Sequence, residues 1–186
     1  MNIIKTDIEG LLILEPKVFG DSRGYFFESW NKARYEEAGI ACEFLQDNES
    51  KSSFGVLRGL HWQAMPYTQA KLVRVVSGAV LDVAVDIRKG SPTYGRHVAV
   101  ELSEDNKRQF FIPKGFAHGF AVLSQEAVFA YKCDAPYAPQ SERGMRFDDP
   151  ELGIDWRVKP EQWNLSAKDK LHPMFKDIEA LDCTHS

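Results

Sequence analysis

Cysteine is scarce in this sequence, long apolar runs are missing and positive charge is not in excess, and each shortage removes a class of protein. The three cysteines, Cys42, Cys133 and Cys183, are odd in number and share no CxxC spacing. They indicate neither a disulfide framework nor a thiolate zinc site, and the expectation is reduced thiols in a cytosol. The longest apolar stretch, 79–85, is broken by Asp82 and falls far short of the roughly 20 residues that cross a bilayer. The opening MNIIKTDIEG has acids where an export signal needs basic and then apolar residues. A soluble cytoplasmic protein with no membrane partner is expected. Lys plus Arg number 23 against 27 for Asp plus Glu, a net charge of -4, which argues against a nucleic-acid partner and leaves room only for a local basic pocket. Repeats, low-complexity tracts and Ser/Gly linkers are also missing, so residues 1–186 read as one domain.

What is present is ordinary globular material. Hydrophobic residues make up 44% and aromatics 12%, enough at 186 residues for a sizeable core. Clear helical patterns are few. Residues 29–39 offer Ser29 as a cap, a charged segment and a stop at Gly39, and Ser166 could cap a short turn over 166–170. The rest reads mostly as strand. Two β-branched runs flank Ser77-Gly78 within 72–87, followed by 97–102, 109–112, 116–123 and 127–133, separated by turn signals such as Ser103-Glu104-Asp105-Asn106. Close-spaced strands of this kind describe an all-β protein, best a double-sheet jelly roll with a few short peripheral helices. Such a barrel can enclose a ligand, so polar residues at inward positions become the ones to watch.

Two segments, Gly59-Leu60-His61-Trp62-Gln63 and Pro113-Lys114-Gly115-Phe116-Ala117-His118, resemble the two motifs of the cupin superfamily. The frame is kept but the metal ligands are not. Gln63 stands where the second His of the first motif is expected, and Lys71 stands at its Glu, with Gly78 seven positions on. A lysine ammonium repels a dication, which leaves two imidazoles where a metal wants three or four donors, so a metal-free and cofactor-free site is expected. His61 and Lys71 in one pocket supply a base and a fixed positive charge, a pair suited to removing a proton next to a ketone and holding the enolate. If the proton returns to the opposite face, a second carrier is needed, and Tyr131 on the strand 127–133 could be it.

The set then becomes specific. Asp21-Ser22-Arg23-Gly24-Tyr25-Phe26-Phe27-Glu28, Gln46-Asp47-Asn48, Arg58 to Gln63, Lys71 to Arg74, Ile112 to Gly119, Tyr131 to Pro139 and Leu165 to Lys170 together resemble the dTDP-4-dehydrorhamnose 3,5-epimerase family over about residues 1–175. The resemblance implies a cupin-like jelly roll that inverts the two carbons flanking the ketone of a dTDP-4-keto-6-deoxyhexose, in the supply of L-rhamnose for cell-surface polysaccharide. It implies His61 as base, Asp169 as the carboxylate that holds it, Tyr131 as acid and Lys71, helped by His118, as the group facing the enolate oxygen. It further implies Arg23 and Arg58 at the diphosphate or sugar, Glu28, Gln46, Asn48, Glu142 and Lys168 at nucleotide or pyranose, Phe26 lining the sugar pocket and Tyr137 stacked on thymine. A homodimer is implied as well.

Taken residue by residue without that family, plainer readings compete. Tyr131 could be core packing, Asp169 an exposed charge, Arg23 part of a turn, and Glu28 and Glu142 surface acids. His97, His172 and His185 carry no motif and read as solvated or locally bonded imidazoles. Strict strand alternation puts Arg58 and His61 on opposite faces, so both reach one pocket only if the chain bends, with Gly59 the place for it, or Arg58 serves a neighbouring subunit. Three functional alternatives stand beside the double epimerase: a relative inverting one carbon, a binding protein on the same scaffold, and a metal-dependent cupin.

Overall fold

A computed structural model describes residues 1–183, so His185 lies outside the described residues. In chain order the elements are β1 (Asn2–Lys5), β2 (Leu12–Glu15), β3 (Val18–Asp21), β4 (Gly24–Phe27), α1 (Lys32–Glu37), β5 (Gln46–Ser53), β6 (Leu57–Gln63), β7 (Lys71–Ser77), β8 (Ala79–Asp86), β9 (His97–Ser103), β10 (Gln109–Ile112), β11 (Phe116–Val122), β12 (Glu126–Cys133) and β13 (Glu142–Gly144), with single 3-10 turns between and after the last strands. One sheet has six strands in the order β1-β2-β10-β7-β12-β5 and the other five in the order β13-β6-β11-β8-β9. All pairings between these strands are antiparallel. This is the expected jelly roll.

Between the sheets, Val73, Val75 and Phe129 of one meet Val80, Ala84, Phe116 and Phe120 of the other, with the Phe120 and Phe129 rings stacked at 4.2 Å. The second face of the five-stranded sheet is covered by the C-terminal segment, where Phe147, Leu152, Trp156 and Phe175 pack on Leu57, Leu60, Val83 and Val85. This explains why β8 is apolar on both faces apart from Asp82 and the terminal Asp86: both of its faces are buried. The helix is shorter than the sequence predicts. It is capped by Asn31, whose side chain accepts from the Arg34 amide, while the Ser29 carbonyl accepts from Tyr35 and Gln109 instead.

The bend anticipated at Gly59 is present. Along β6 and β11, His61 faces His118 and Arg58 faces Phe120, three steps on one strand against two on the other. One extra residue in β6 reverses the alternation, so Arg58 and His61 share a face. Gly59 has φ +131, and a Cβ there would stand 2.5 Å from the Gly119 Cα, so both backbone conformation and close approach require glycine.

Candidate active site

Strands from both sheets wall one cavity with two lobes, of about 660 and 360 Å³. Asn48, His61, Lys71 and Tyr131 line both lobes; Arg58, His118, Lys168 and Asp169 line the larger, and Gln46, Tyr137 and Glu142 the smaller. The His61 imidazole and the Tyr131 phenol come from opposite sheets. His61 rises from β6, whereas Tyr131 on β12 and Lys71 on β7 project from the six-stranded sheet, where Tyr131 pairs with Val73 and Lys71 with Cys133.

His61 Nε2 and Asp169 Oδ1 are 2.6 Å apart, and Asp169 is 3% exposed, so it is no surface charge. Ser166 caps the turn as expected: its hydroxyl donates to Asp169 Oδ2 at 2.8 Å and accepts from the Asp169 amide. Burial pushes the Asp169 carboxyl up, but the His61 and Ser166 contacts outweigh it and hold it below the ordinary carboxylate value. A second imidazole–carboxylate pair lies behind. His118 Nε2 is 2.9 and 3.0 Å from the two oxygens of Asp82, which is fully buried. Burial pulls the His118 imidazole below its usual value, against the pull of Asp82.

Lys71 is also pulled below the ordinary lysine value by burial, partly offset by Cys133, Asp82 and Glu142. Burial moves Tyr131 the other way, up from 10.0, and the Cys133 thiol up to about 11. The thiols of Cys42 and Cys133 are free. Along the rim, Tyr137 donates its hydroxyl to Glu142 Oε2 at 2.7 Å, and Lys168 Nζ reaches the same oxygen at 2.6 Å. Gln46 ties this group to β5 through the Tyr137 amide and Asn48. Arg58 donates to Ser52 Oγ at 3.2 and 3.3 Å.

Three expected contacts are not brought to the cavity of this chain. Arg23 and Phe26 sit on the β3–β4 hairpin, which joins neither main sheet, and Glu28 follows it. Arg23 is 88% exposed and paired with Asp21, Phe26 is 69% exposed, and Glu28 is engaged by Arg34 and Asn31. The hairpin rests on the body through Lys107, whose ammonium lies 3.9 Å from the centre of the Tyr25 ring, and the residues the resemblance assigned to it do not line this cavity. His97 lies by the Leu152 backbone, and burial lowers its imidazole below the usual value.

His172 corrects the sequence reading, for it is neither solvated nor locally satisfied. Its ring lies 5.4 Å from that of His61, edge-on at 73°, with Nε2 3.7 Å from Asp169 Oδ1. Sequence reasoning also missed Asp82 as a partner of His118; the signal was there, a carboxylate inside an otherwise apolar strand. His61, Asp169 and His172 place donor atoms within 4.8 Å of one another. The 2.6 Å contact within that trio is a hydrogen bond, tighter than the roughly 3.3 Å between donors on a tetrahedral zinc with bonds of 2.0–2.1 Å.

A jelly roll with a carboxylate-held imidazole on one sheet, and a buried ammonium and a phenol on the other, defines a carbohydrate isomerase of the acid–base kind. The family model described as dTDP-4-dehydrorhamnose 3,5-epimerase matches residues 5–177, and the chain belongs to that family. It is 59% identical to the dTDP-4-dehydrorhamnose 3,5-epimerase of Shigella flexneri over 180 residues, covering 96% of this chain and 98% of that protein. A crystal structure of the dTDP-6-deoxy-D-glucose-3,5-epimerase from Legionella pneumophila, in complex with dTDP-4-keto-L-rhamnose, superposes with a TM-score of 0.93 at 57% identity, covering 96% of this chain and 95% of that one. A 3'-monoepimerase from Streptomyces bikiniensis, in complex with dTDP-quinovose, is more distant at 34% identity and a TM-score of 0.84, covering 92% and 86%.

Proposed function

We propose that this chain inverts carbons 3 and 5 of dTDP-4-keto-6-deoxy-D-glucose to give dTDP-4-keto-L-rhamnose, with His61 as base and Tyr131 as acid. The observation that carries the reading is the placement of those two groups on facing sheets of one cavity. Both carbons flank the ketone, so loss of either proton leaves an enolate with its charge on the carbonyl oxygen. His61 Nε2–H donates to Asp169, which leaves the Nδ1 lone pair for the carbon proton. Lys71, backed by the His118–Asp82 pair, supplies positive charge where the enolate oxygen develops, in a site where low dielectric strengthens it. Tyr131, kept protonated by burial, returns a proton to the other face. Each inversion thus moves one proton onto His61 and one off Tyr131, and exchange with solvent resets both before the second; no oxidant or reductant is consumed.

Arg58, Lys168, Gln46, Asn48, Glu142 and Tyr137 surround the remaining space and suit a diphosphate, sugar hydroxyls and a base to stack. Arg23, Phe26 and Glu28 enter this reading through a homodimer, in which the hairpin of one copy reaches the cavity of the other. Its exposed Val18, Phe19, Tyr25 and Phe26 support that reading, since an apolar arm without a partner is costly in water. A cytoplasmic location belongs to the same proposal, supported by the reduced thiols of Cys42 and Cys133. Incubation with dTDP-4-keto-6-deoxy-D-glucose and NMR analysis of the product tests the reading. Inversion at both carbons is expected; inversion at carbon 3 alone would make the chain a monoepimerase.

A further inference from the structure

His172 is an imidazole at the cavity wall to which the reaction above gives no task. Three features fix it there. Pro173 follows it and favours the extended backbone it adopts. Arg146 pins the segment, its amide donating to the Pro173 carbonyl and its guanidinium to the Lys170 carbonyl, both at 2.8 Å. The ring lies on Gly144, the residue paired with His61 across β6 and β13, where a Cβ would come within 2.4–2.7 Å of three ring atoms. Position 144 is therefore glycine for room, and the room is taken by this imidazole.

The ring has its Nε2 buried with no hydrogen-bond partner among the described residues. Buried polar atoms are rarely left so without a purpose. Asp169 Oδ1, the same oxygen that holds His61, lies 3.7 Å away, and catalytic side-chain contacts of this length commonly tighten during the reaction. We propose that His172 is a positioning residue for the base: neutral, with its proton on Nε2, it closes on Asp169 Oδ1 as His61 takes up a proton and keeps that carboxylate aimed and dry through both inversions.

The groups facing His172 are His61 from β6, Glu142 from β13, and Asp169 and Lys168 from its own segment. Burial lowers the His172 value, and a charge on His61 lowers it further, so both act to favour the neutral ring. A neutral donor is what the arrangement calls for, because a second imidazolium would compete with His61 for the one carboxylate.

The inference rests on the role given to His61, and two substitutions separate donor from shape. His172→Phe keeps a ring on Gly144 without an N–H; His172→Gln carries an amide N–H near the Nε2 position. The expectation for Phe is a fall in kcat of about tenfold, the effect of one hydrogen bond to a charged group, with KM unchanged and deuterium uptake from solvent reduced equally at carbons 3 and 5. Gln should stay near wild type. Wild-type kcat in the Phe variant, equal losses in Phe and Gln, or a change confined to KM would each overturn the proposal. An inactive wild type would instead overturn the functional reading. A measurement on the unaltered protein stands apart from activity and from folding of the variants: ¹⁵N NMR at pH 7 should find His172 neutral and protonated at Nε2, and a charged ring or the Nδ1–H tautomer would contradict the proposal.

Discussion

Lys71 and Tyr131 share the inner face of neighbouring strands, and burial acts on them with opposite sign. It disfavours an ammonium, so Lys71 gives up its proton at lower pH than a free lysine; it disfavours a phenolate, so Tyr131 gives up its proton later. The alkaline fall in kcat should therefore come from Lys71 and lie below the ordinary lysine value of about 10.4. Lys71→Arg should move that limb upward, since a guanidinium does not titrate there, whereas Tyr131→Phe should leave the limb of its residual solvent exchange in place. A limb that stays put in Lys71→Arg would remove Lys71 as its source. Both readouts come from one pH series of initial rates.

β8 ends in a turn organised by one carboxylate. Asp86 accepts from the Arg88 amide and guanidinium, from Ser91 Oγ and from Thr93 Oγ1. Burial pushes its carboxyl up, but these hydrogen bonds bring it down to about 2. A depressed carboxylate stabilises the fold above its unfolded pKa, and that contribution is lost as pH falls from about 4 towards 2. Asp86→Asn should cost on the order of 1–2 kcal/mol at pH 7 after allowance for solvent screening, measured by urea unfolding, and the gap to wild type should close near pH 2. A gap unchanged at low pH would mean that packing, not ionisation, stabilises the turn. Other strands differed in how visible they were in the sequence. β7 to β12 are β-branched and aromatic and could be read directly. β5, Gln46–Ser53, is polar almost throughout; it is an edge strand recruited by β12, and no hydrophobic period announces it. In β6 the extra residue at the bend breaks the alternation that would have marked it. The motifs located His61, Lys71, His118 and Tyr131, but Asp82 was hidden in a run buried on both faces. His172 reaches the site only because the C-terminal segment folds back over Gly144, a tertiary fact with no local signature.

The molecule as a whole sets His61 on one sheet against Tyr131 on the other and carries a two-stranded arm that joins neither main sheet. If that arm completes a second copy's site, Arg23→Ala and His61→Ala chains should complement each other. Each mixed dimer would hold one site with both residues intact, so mixing after unfolding and refolding should restore about a quarter of wild-type sites by random pairing. No recovery above the separate variants would assign the arm to its own chain. The facing arrangement itself is tested most directly by incubating the protein with dTDP-4-keto-6-deoxy-D-glucose in deuterated water and reading label at each ring carbon by NMR. The account predicts deuterium at carbons 3 and 5 with wild type and at neither with His61→Ala, which should still bind dTDP. Label at only one carbon, or label that persists in His61→Ala, would contradict it.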